Sequence, residues 1–312
     1  MSKIVIMESL GISAEELAAR KAPFEAQGHV FVDYPKTTDS AQLVEEAKDA
    51  DAMILANMPM PADVLRKCDK LKFIDVAFTG GLDAAKEKNI AVSNASGYSN
   101  EAVSELVIGT TLSLARNLRS VEDRCREGKD KTGLVGWEIK GKTVGIIGLG
   151  KIGTRTGELF HAFGANVLAQ SRTHHDGVAG YIEQVTQDEL LRRSDIVVLH
   201  CPLNDSTRGM INAEKLAMMK PTALLVNVAR GPVVVEEDLA IALENGMIAG
   251  AAIDVFDKEP PLDPASPILH APNCLVTPHV AFATQQSMSL RAEIVFDNLA
   301  KWMEGHQINV IL

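Results

Sequence analysis

The sequence predicts an α/β chain of two doubly wound parallel-sheet domains. Short apolar, β-branched runs alternate with helix-patterned polar stretches through the first hundred residues, and the same alternation resumes after a long helical segment. At 312 residues the chain also exceeds what one ordinary core supports, since domains run to roughly 100–200 residues. Strand–helix–strand alternation requires crossover connections, and crossovers give parallel sheets.

In the first series, residues 3–7, 29–33, 52–56, 72–77 and 90–93 read as strands. The intervening helices "SAEELAAR" and "DSAQLVEEAKDA" open on Ser13 and Asp39, whose side chains can accept from the unpaired amides of a first turn. Residues 100–128 read as one long helix, with Asn100 at its start, an early Glu101 and Gly128 at its end. The second series places strands at 143–147, 166–170, 195–201, 223–228, 248–255 and 275–277. A final helix, "ATQQSMSLRAEIVFDNLAKWMEG", ends at Gly305. It follows the last strand of the second sheet, so it is expected to return to the first domain and make that domain discontinuous: 1–99 with 285–312, around a central domain of 100–284.

Composition removes several classes of function. A net charge of -10 without a basic cluster argues against nucleic acid, because binding a phosphate backbone needs clustered cations. With 46% hydrophobic and 23% charged residues, the chain can bury a core and is not disordered. Cys68, Cys125, Cys201 and Cys274 show neither a CxxC nor metal-ligand spacing, which fits small core residues in a reducing cytoplasm and no metal site. No run approaches the ~20 apolar residues of a membrane span. "MSKIVIMESLG" reads as a first strand, its apolar run being too short for a secretory signal.

The strand at 143–147 runs into Gly148-Leu149-Gly150-Lys151-Ile152-Gly153 and then into a helix. This is a GxGxxG dinucleotide fingerprint in its required setting. Gly148 permits the tight turn, Gly150 the approach of a pyrophosphate, and Gly153 close helix–strand packing. The next strand ends at Gln170, so Ser171 stands where an NAD-specific site offers a carboxylate to the ribose diol. Ser171, Arg172 and Thr173 can instead donate to a 2'-phosphate. The sequence favours NADP, with NAD as the alternative.

Arg230, Glu259 and His279 each follow a predicted strand. Ligands of doubly wound sheets bind beyond the carboxyl ends of the strands, so the three converge on the edge that holds the fingerprint. Imidazole gives or takes a proton near neutral pH, as carbonyl reduction by hydride requires. Glu259 would orient the His279 ring and stabilise its imidazolium, and Arg230 offers a planar fork to a carboxylate. Together they specify a 2-oxo acid or its 2-hydroxy acid as substrate.

Five blocks, "VGIIGLGKIG", "SDIVVLHCPLNDSTRGMI", "LLVNVARGPVVVEEDL", "AAIDVFDKEP" and "PNCLVTPHVA", follow in the order of the D-isomer-specific 2-hydroxyacid dehydrogenase family, which the chain resembles over essentially its whole length. The resemblance implies a Rossmann-type cofactor domain inserted in a discontinuous, flavodoxin-like catalytic domain. It implies that Arg230 binds the substrate carboxylate and carbonyl, that Glu259 partners His279, and that His279 is the acid/base. Cofactor contacts are implied for Gly148, Gly150, Lys151, Ile152, Gly153, Ser171, Arg172, Thr173, Cys201, Pro202, Thr207 and Val228, with Asp254 meeting the nicotinamide carboxamide.

Substrate contacts are implied at Asn57, Met58, Thr79, Gly80 and Phe282, although Gly81-Leu82 replaces a more polar pair. Pro260-Pro261 and "TPHVAFAT" look most similar to glycerate dehydrogenases, also called hydroxypyruvate or glyoxylate reductases, while Met58 and Met60 would accommodate a larger side chain. Family members are usually dimers through the cofactor domain, and Leu106, Ile108, Leu112, Leu114 and Leu118 of the long helix offer apolar surface either for that or for burial as a core helix. A corepressor-like NAD(H)-binding protein of the same fold, and a dehydrogenase for formate or phosphite, are the alternatives. Turnover with a small 2-oxo acid separates them.

Overall fold

The structure is a computed structural model that describes the chain except residues 59, 77–81 and 260–261, and the backbone alone of Leu82 and Asp83. It divides into two units, Met1–Tyr98 with Ala283–Leu312, and Ser99–Phe282.

The first unit runs β1 (Lys3–Ile6), α1 (Ala14–Glu25), β2 (Val30–Asp33), α2 (Ser40–Ala47), β3 (Ala52–Leu55), α3 (Ala62–Arg66), β4 (Phe73–Val76), α4 (Leu82–Glu87) and β5 (Ala91–Asn94). Its five strands are all parallel in the flavodoxin-like order β2-β1-β3-β4-β5. Alternate strand residues face opposite sides. Val5, Met53, Ile74 and Val92 pack against Leu43, Val64 and Leu65 of α2 and α3. Ile4, Ile6, Ile54 and Phe73 pack against Phe24 of α1 and against Ala292, Val295, Phe296 and Leu299 of the C-terminal helix. The Ser13 hydroxyl and Asp39 carboxylate cap α1 and α2 by accepting first-turn amides.

The second unit runs α5 (Asn100–Ala115), α6 (Leu118–Arg126), β6 (Thr143–Ile147), α7 (Lys151–Ala162), β7 (Asn166–Gln170), β8 (Ile182–Gln184), α8 (Gln187–Arg193), β9 (Ile196–Leu199), α9 (Ala213–Ala217), β10 (Leu224–Asn227), α10 (Glu236–Glu244), β11 (Gly250–Ile253) and β12 (Cys274–Val276). The last helix, α11 (Gln285–Met303), opens on a Thr284–Ser287 capping box and packs with the first unit, where Trp302 stacks on Phe73 at 4.8 Å. The second unit's seven strands are parallel, ordered β12-β11-β10-β9-β6-β7-β8, which is Rossmann-type with one added strand. Ile196 and Val198 of β9 pack with α5 and α7 on one face; Val197 and Leu199 pack with α8, α9 and α10 on the other.

Two sequence expectations need correction. The helix expected over 100–128 is broken at Asn117, whose φ of 52° is left-handed. The returning chain causes the break: the Trp137 amide donates to the Ala115 carbonyl at 3.0 Å, removing an acceptor that a continued helix would use. The second is β8, a strand absent from the sequence reading. It is a three-residue edge paired only to β7, too short to show alternation.

A β-branched residue is strained in the left-handed region, where asparagine is tolerated and glycine is at ease. Denaturant unfolding is expected to show Asn117→Gly within about 0.5 kcal/mol of the parent and Asn117→Val destabilised by about 1–2 kcal/mol. Equal stability of the two variants would contradict this account of the break.

Candidate active site

The fingerprint loop leaves β6 at Gly148, whose φ of 106° turns the chain and whose amide donates to the Gln170 carbonyl at 2.8 Å. A Cβ there would lie 2.6 Å from the Cys201 amide nitrogen, so β6 and β9 approach closely where the strand order reverses. A Cβ on Gly153 would lie 2.1 Å from the Gly148 carbonyl oxygen, so only glycine lets α7 rest on the loop. Gly150 caps α7 without a side-chain hydrogen bond, and the space its Cβ would enter is open. The first-turn amides of Lys151, Ile152 and Gly153 therefore suit the pyrophosphate of a dinucleotide, as does the positive end of the helix dipole.

After β7 the chain offers no acid until Asp176. The Ser171 hydroxyl donates to the Thr173 carbonyl at 2.6 Å, and Arg172, Thr173 and His174 are exposed. The Gln184 side chain brackets this loop by accepting from the His175 amide and donating to its carbonyl, both at 2.9 Å. Cys201 is buried, which pushes its thiol up. Thr207 closes the turn after Pro202, donating to the Pro202 carbonyl at 2.7 Å and accepting from the Asn204 amide at 2.9 Å. Val228 is half-buried just past β10.

His200, which the sequence reading passed over, ends β9 with its ring nitrogen 2.9 Å from the Thr156 hydroxyl of α7. Part of the residue is accessible, but the ring sits among the packed elements, and burial lowers its pKa to about 4. It is a neutral link between α7 and β9.

Arg230, Glu259 and His279 follow β10, β11 and β12, three adjacent parallel strands. Buried Asn227 shapes the turn into Arg230: its side chain accepts from the Ala229 amide and donates to the Arg230 carbonyl, both at 3.1 Å. The Arg230 guanidinium donates to the Ala229 carbonyl at 2.6 Å and is otherwise exposed. A Cβ on Gly231 would lie 2.0 Å from the Phe256 carbonyl carbon, so the Arg230 turn sits directly against the loop leading to Glu259. Glu236 steadies that loop from below, accepting from the Asp257 amide at 2.7 Å and the Ser266 hydroxyl at 2.8 Å.

The Glu259 carboxylate lies 2.8 Å from Nδ1 of His279. Glu259 is largely sheltered, with 16% of its side chain exposed against 39% for His279, so the pair presents its imidazole outward. Phe282 meets the ring edge-on at 5.6 Å. His279 occupies the left-handed region, φ 53°, a strained state for a non-glycine residue. Asp254 holds it there: its carboxylate accepts from the Thr277 hydroxyl at 2.6 Å and from the Val280 and Ala281 amides at 2.9 Å, and its carbonyl accepts from the His279 amide at 2.7 Å. Burial pushes the Asp254 carboxyl up, and these donors oppose that shift. Both carboxylate oxygens are thus engaged by the His279 turn; the sequence reading had given Asp254 only a cofactor contact.

In the first unit, Asn57 is exposed while Met58 and Met60 are buried in the core. Thr79, Gly80, Gly81, Pro260 and Pro261 lie outside the described residues, as does the Leu82 side chain. Among the described residues no cluster of His, Cys, Asp or Glu could hold a metal, and no helix is long and apolar enough to cross a membrane.

Residues 108–281 match the model of the D-isomer specific 2-hydroxyacid dehydrogenase NAD binding domain. A hydroxypyruvate reductase of Blautia hydrogenotrophica is 33% identical over 99% of this chain and 99% of its own. The structure of an acyclic imino acid reductase in complex with NADPH and D-Arg superposes with a TM-score of 0.90 at 25% identity, covering 99% of this chain and 100% of that one. That of a D-2-hydroxyisocaproate dehydrogenase gives 0.85 at 26%, covering 99% of each chain.

The state of His200 gives a stability prediction. Its folded value of about 4 lies below the ordinary 6.5, so below pH ~6.5 the unfolded chain takes up a proton that the folded chain refuses. Stability is lost as pH falls from about 6.5 to 4, with about 2 kcal/mol gone between pH 7 and pH 5. Urea unfolding at both pH values should show this loss in the difference between the parent and His200→Asn, because the variant lacks the group that causes it. Identical pH profiles would contradict it.

Proposed function

Because the chain belongs to the D-isomer specific 2-hydroxyacid dehydrogenases, we propose that it is an NADPH-preferring reductase of small 2-oxo acids such as hydroxypyruvate or glyoxylate, with His279 as acid/base. The carrying observation is the 2.8 Å Glu259–His279 pair, set beside Arg230 at the carboxyl ends of three adjacent strands. The first unit is read as the substrate domain and the second as the cofactor domain.

The open cradle at Gly150 and the first-turn amides of α7 fit a dinucleotide pyrophosphate, and Ser171, Arg172 and Thr173 fit a 2'-phosphate better than a ribose diol. A bound, reduced nicotinamide supplies hydride. Arg230 binds the substrate carboxylate through its planar fork, its Ala229 contact limiting the rotamers it must surrender on binding. Glu259 accepts from Nδ1–H of His279, which fixes the tautomer and directs Nε2 to the reacting oxygen. His279 gives its proton to the carbonyl oxygen as the carbon is reduced, and Glu259 balances the imidazolium before transfer. In the reverse direction the neutral ring accepts the hydroxyl proton.

Sequence similarity to a hydroxypyruvate reductase over nearly the whole chain supports a small, polar substrate. Of the apolar residues expected to face a partner, Ile108 lies in the core and Leu112 and Leu114 pack against it, whereas exposed Leu118 and Val135 support a homodimer formed through the second unit. Four unbridged cysteines support a cytoplasmic setting.

His279→Ala is expected to lower kcat by about 10²- to 10⁴-fold while cofactor affinity measured by fluorescence titration stays within about twofold. Undiminished turnover would end the assignment. Arg172→Ala should raise the KM for NADPH about tenfold and that for NADH less than about twofold, since only NADPH carries the phosphate. Equal changes would remove Arg172 as selector. Initial rates with hydroxypyruvate, glyoxylate, pyruvate, 2-oxoisocaproate and phenylpyruvate test the substrate class, and preference for a bulky acid would overturn the small-acid reading.

A further inference from the structure

Glu8, just past β1, is 6% exposed, yet it is a carboxylate outside every role assigned above. Its Oε1 accepts the backbone amides of two successive residues past the neighbouring strand β3: Asn57 at 2.6 Å, and Met58. Its Oε2 has the Lys36 ammonium at 3.8 Å. The same two loops are tied a second time by Arg291 of α11, 1% exposed, which donates to the Leu10 carbonyl at 2.6 Å and to the Asn57 side-chain carbonyl at 3.4 Å, with its guanidinium 5.6 Å from the Tyr98 ring.

Burying a carboxylate and a guanidinium is costly unless each is paired and hydrogen-bonded. Here both are spent on one loop. Two adjacent amides converging on one oxygen fix the backbone at residues 57–58, and Arg291 fixes the Asn57 side chain. Met58, anchored in the core, holds the far side. Asn57 alone of the pair remains exposed.

We propose that Glu8 is a positioning residue for the substrate site: with Arg291 it braces the Asn57–Met58 segment in its binding geometry before substrate arrives. This rests on reading that segment as a substrate loop. Since both amides are taken by Glu8, the loop meets the substrate through the Asn57 side chain and backbone carbonyls rather than through those amides. Preorganising a binding loop lowers the ordering cost of each binding event, so loss of the brace weakens substrate binding more than it slows chemistry at His279.

Steady-state kinetics on the full-length enzyme test this. Glu8→Ala should raise the KM for the 2-oxo acid about tenfold or more, with kcat within about threefold and the cofactor KM unchanged. Glu8→Gln, which keeps an acceptor oxygen, should return the substrate KM to within about threefold of the parent. A substrate KM unchanged in Glu8→Ala, or a fall in kcat with both KM values rising together, would overturn the proposal. If neither variant folds, hydrogen exchange on the parent decides: the Met58 amide should be protected like those of β3, and rapid exchange would overturn the brace. Asn57→Trp separates the underlying reading, because a bulky probe on a substrate loop must raise the substrate KM. A parent-like KM there sinks the loop assignment, and the proposal with it; a raised KM beside an unchanged Glu8→Ala sinks the brace alone.

Discussion

Among the described residues every pairing between the named strands is parallel, and this constraint decides where chemistry can stand. Parallel strands need crossover helices on both faces of the sheet, so central strands such as β3, β9 and β10 are apolar and buried on both sides and most polar side chains gather at strand ends. The amino-edge groups are used up structurally. Asp195 accepts from the Thr143 amide and from Lys220, both at 2.8 Å, and Asp51 accepts from the Lys3 amide at 2.9 Å. The carboxyl edge carries Gly148, Ser171, Arg230, Glu259 and His279, each delivered by a different strand.

Placement at an edge does not by itself fix a side chain, and in both units a buried polar group turns edge loops into defined surfaces. Asn227 shapes the Arg230 turn from within. Asp254 spends its carboxylate and its carbonyl on residues 277–281 and so sustains a left-handed His279. Glu8 does comparable work at Asn57 and Met58 in the first unit. Of the three, Asp254 stabilises a backbone conformation that local preference does not supply, the left-handed His279.

Much of this was readable from residue order. Apolar runs located the strands of both sheets, and the fingerprint placed α7 after β6, because periodicity and glycine spacing are local signals. Arg230, Glu259 and His279 could be aligned at one edge without coordinates, since a doubly wound topology puts successive strand ends side by side. What was not readable depends on partners remote in the chain. The break at Asn117 needs Trp137; the left-handed turn at His279 needs Asp254 and Thr277; His200 matters because Thr156 lies across from it. An asparagine ending a strand in "LLVN", or a glutamate following "KIVIM", marks a polar residue leaving an apolar run, and that was the available signal for Asn227 and Glu8.

The reaction proposed for this edge is reduction of the carbonyl carbon of a 2-oxo acid, with the hydride coming from the cofactor and the proton from His279. The most direct measurement is to incubate the enzyme with hydroxypyruvate and NADPH deuterated at the transferable C4 position, then locate the label in the product by NMR and mass spectrometry. One deuterium is expected at C2 of the 2-hydroxy acid, with loss of labelled product in His279→Ala. Cofactor oxidation without deuterium at C2, or labelled product at the parent rate from His279→Ala, would contradict it.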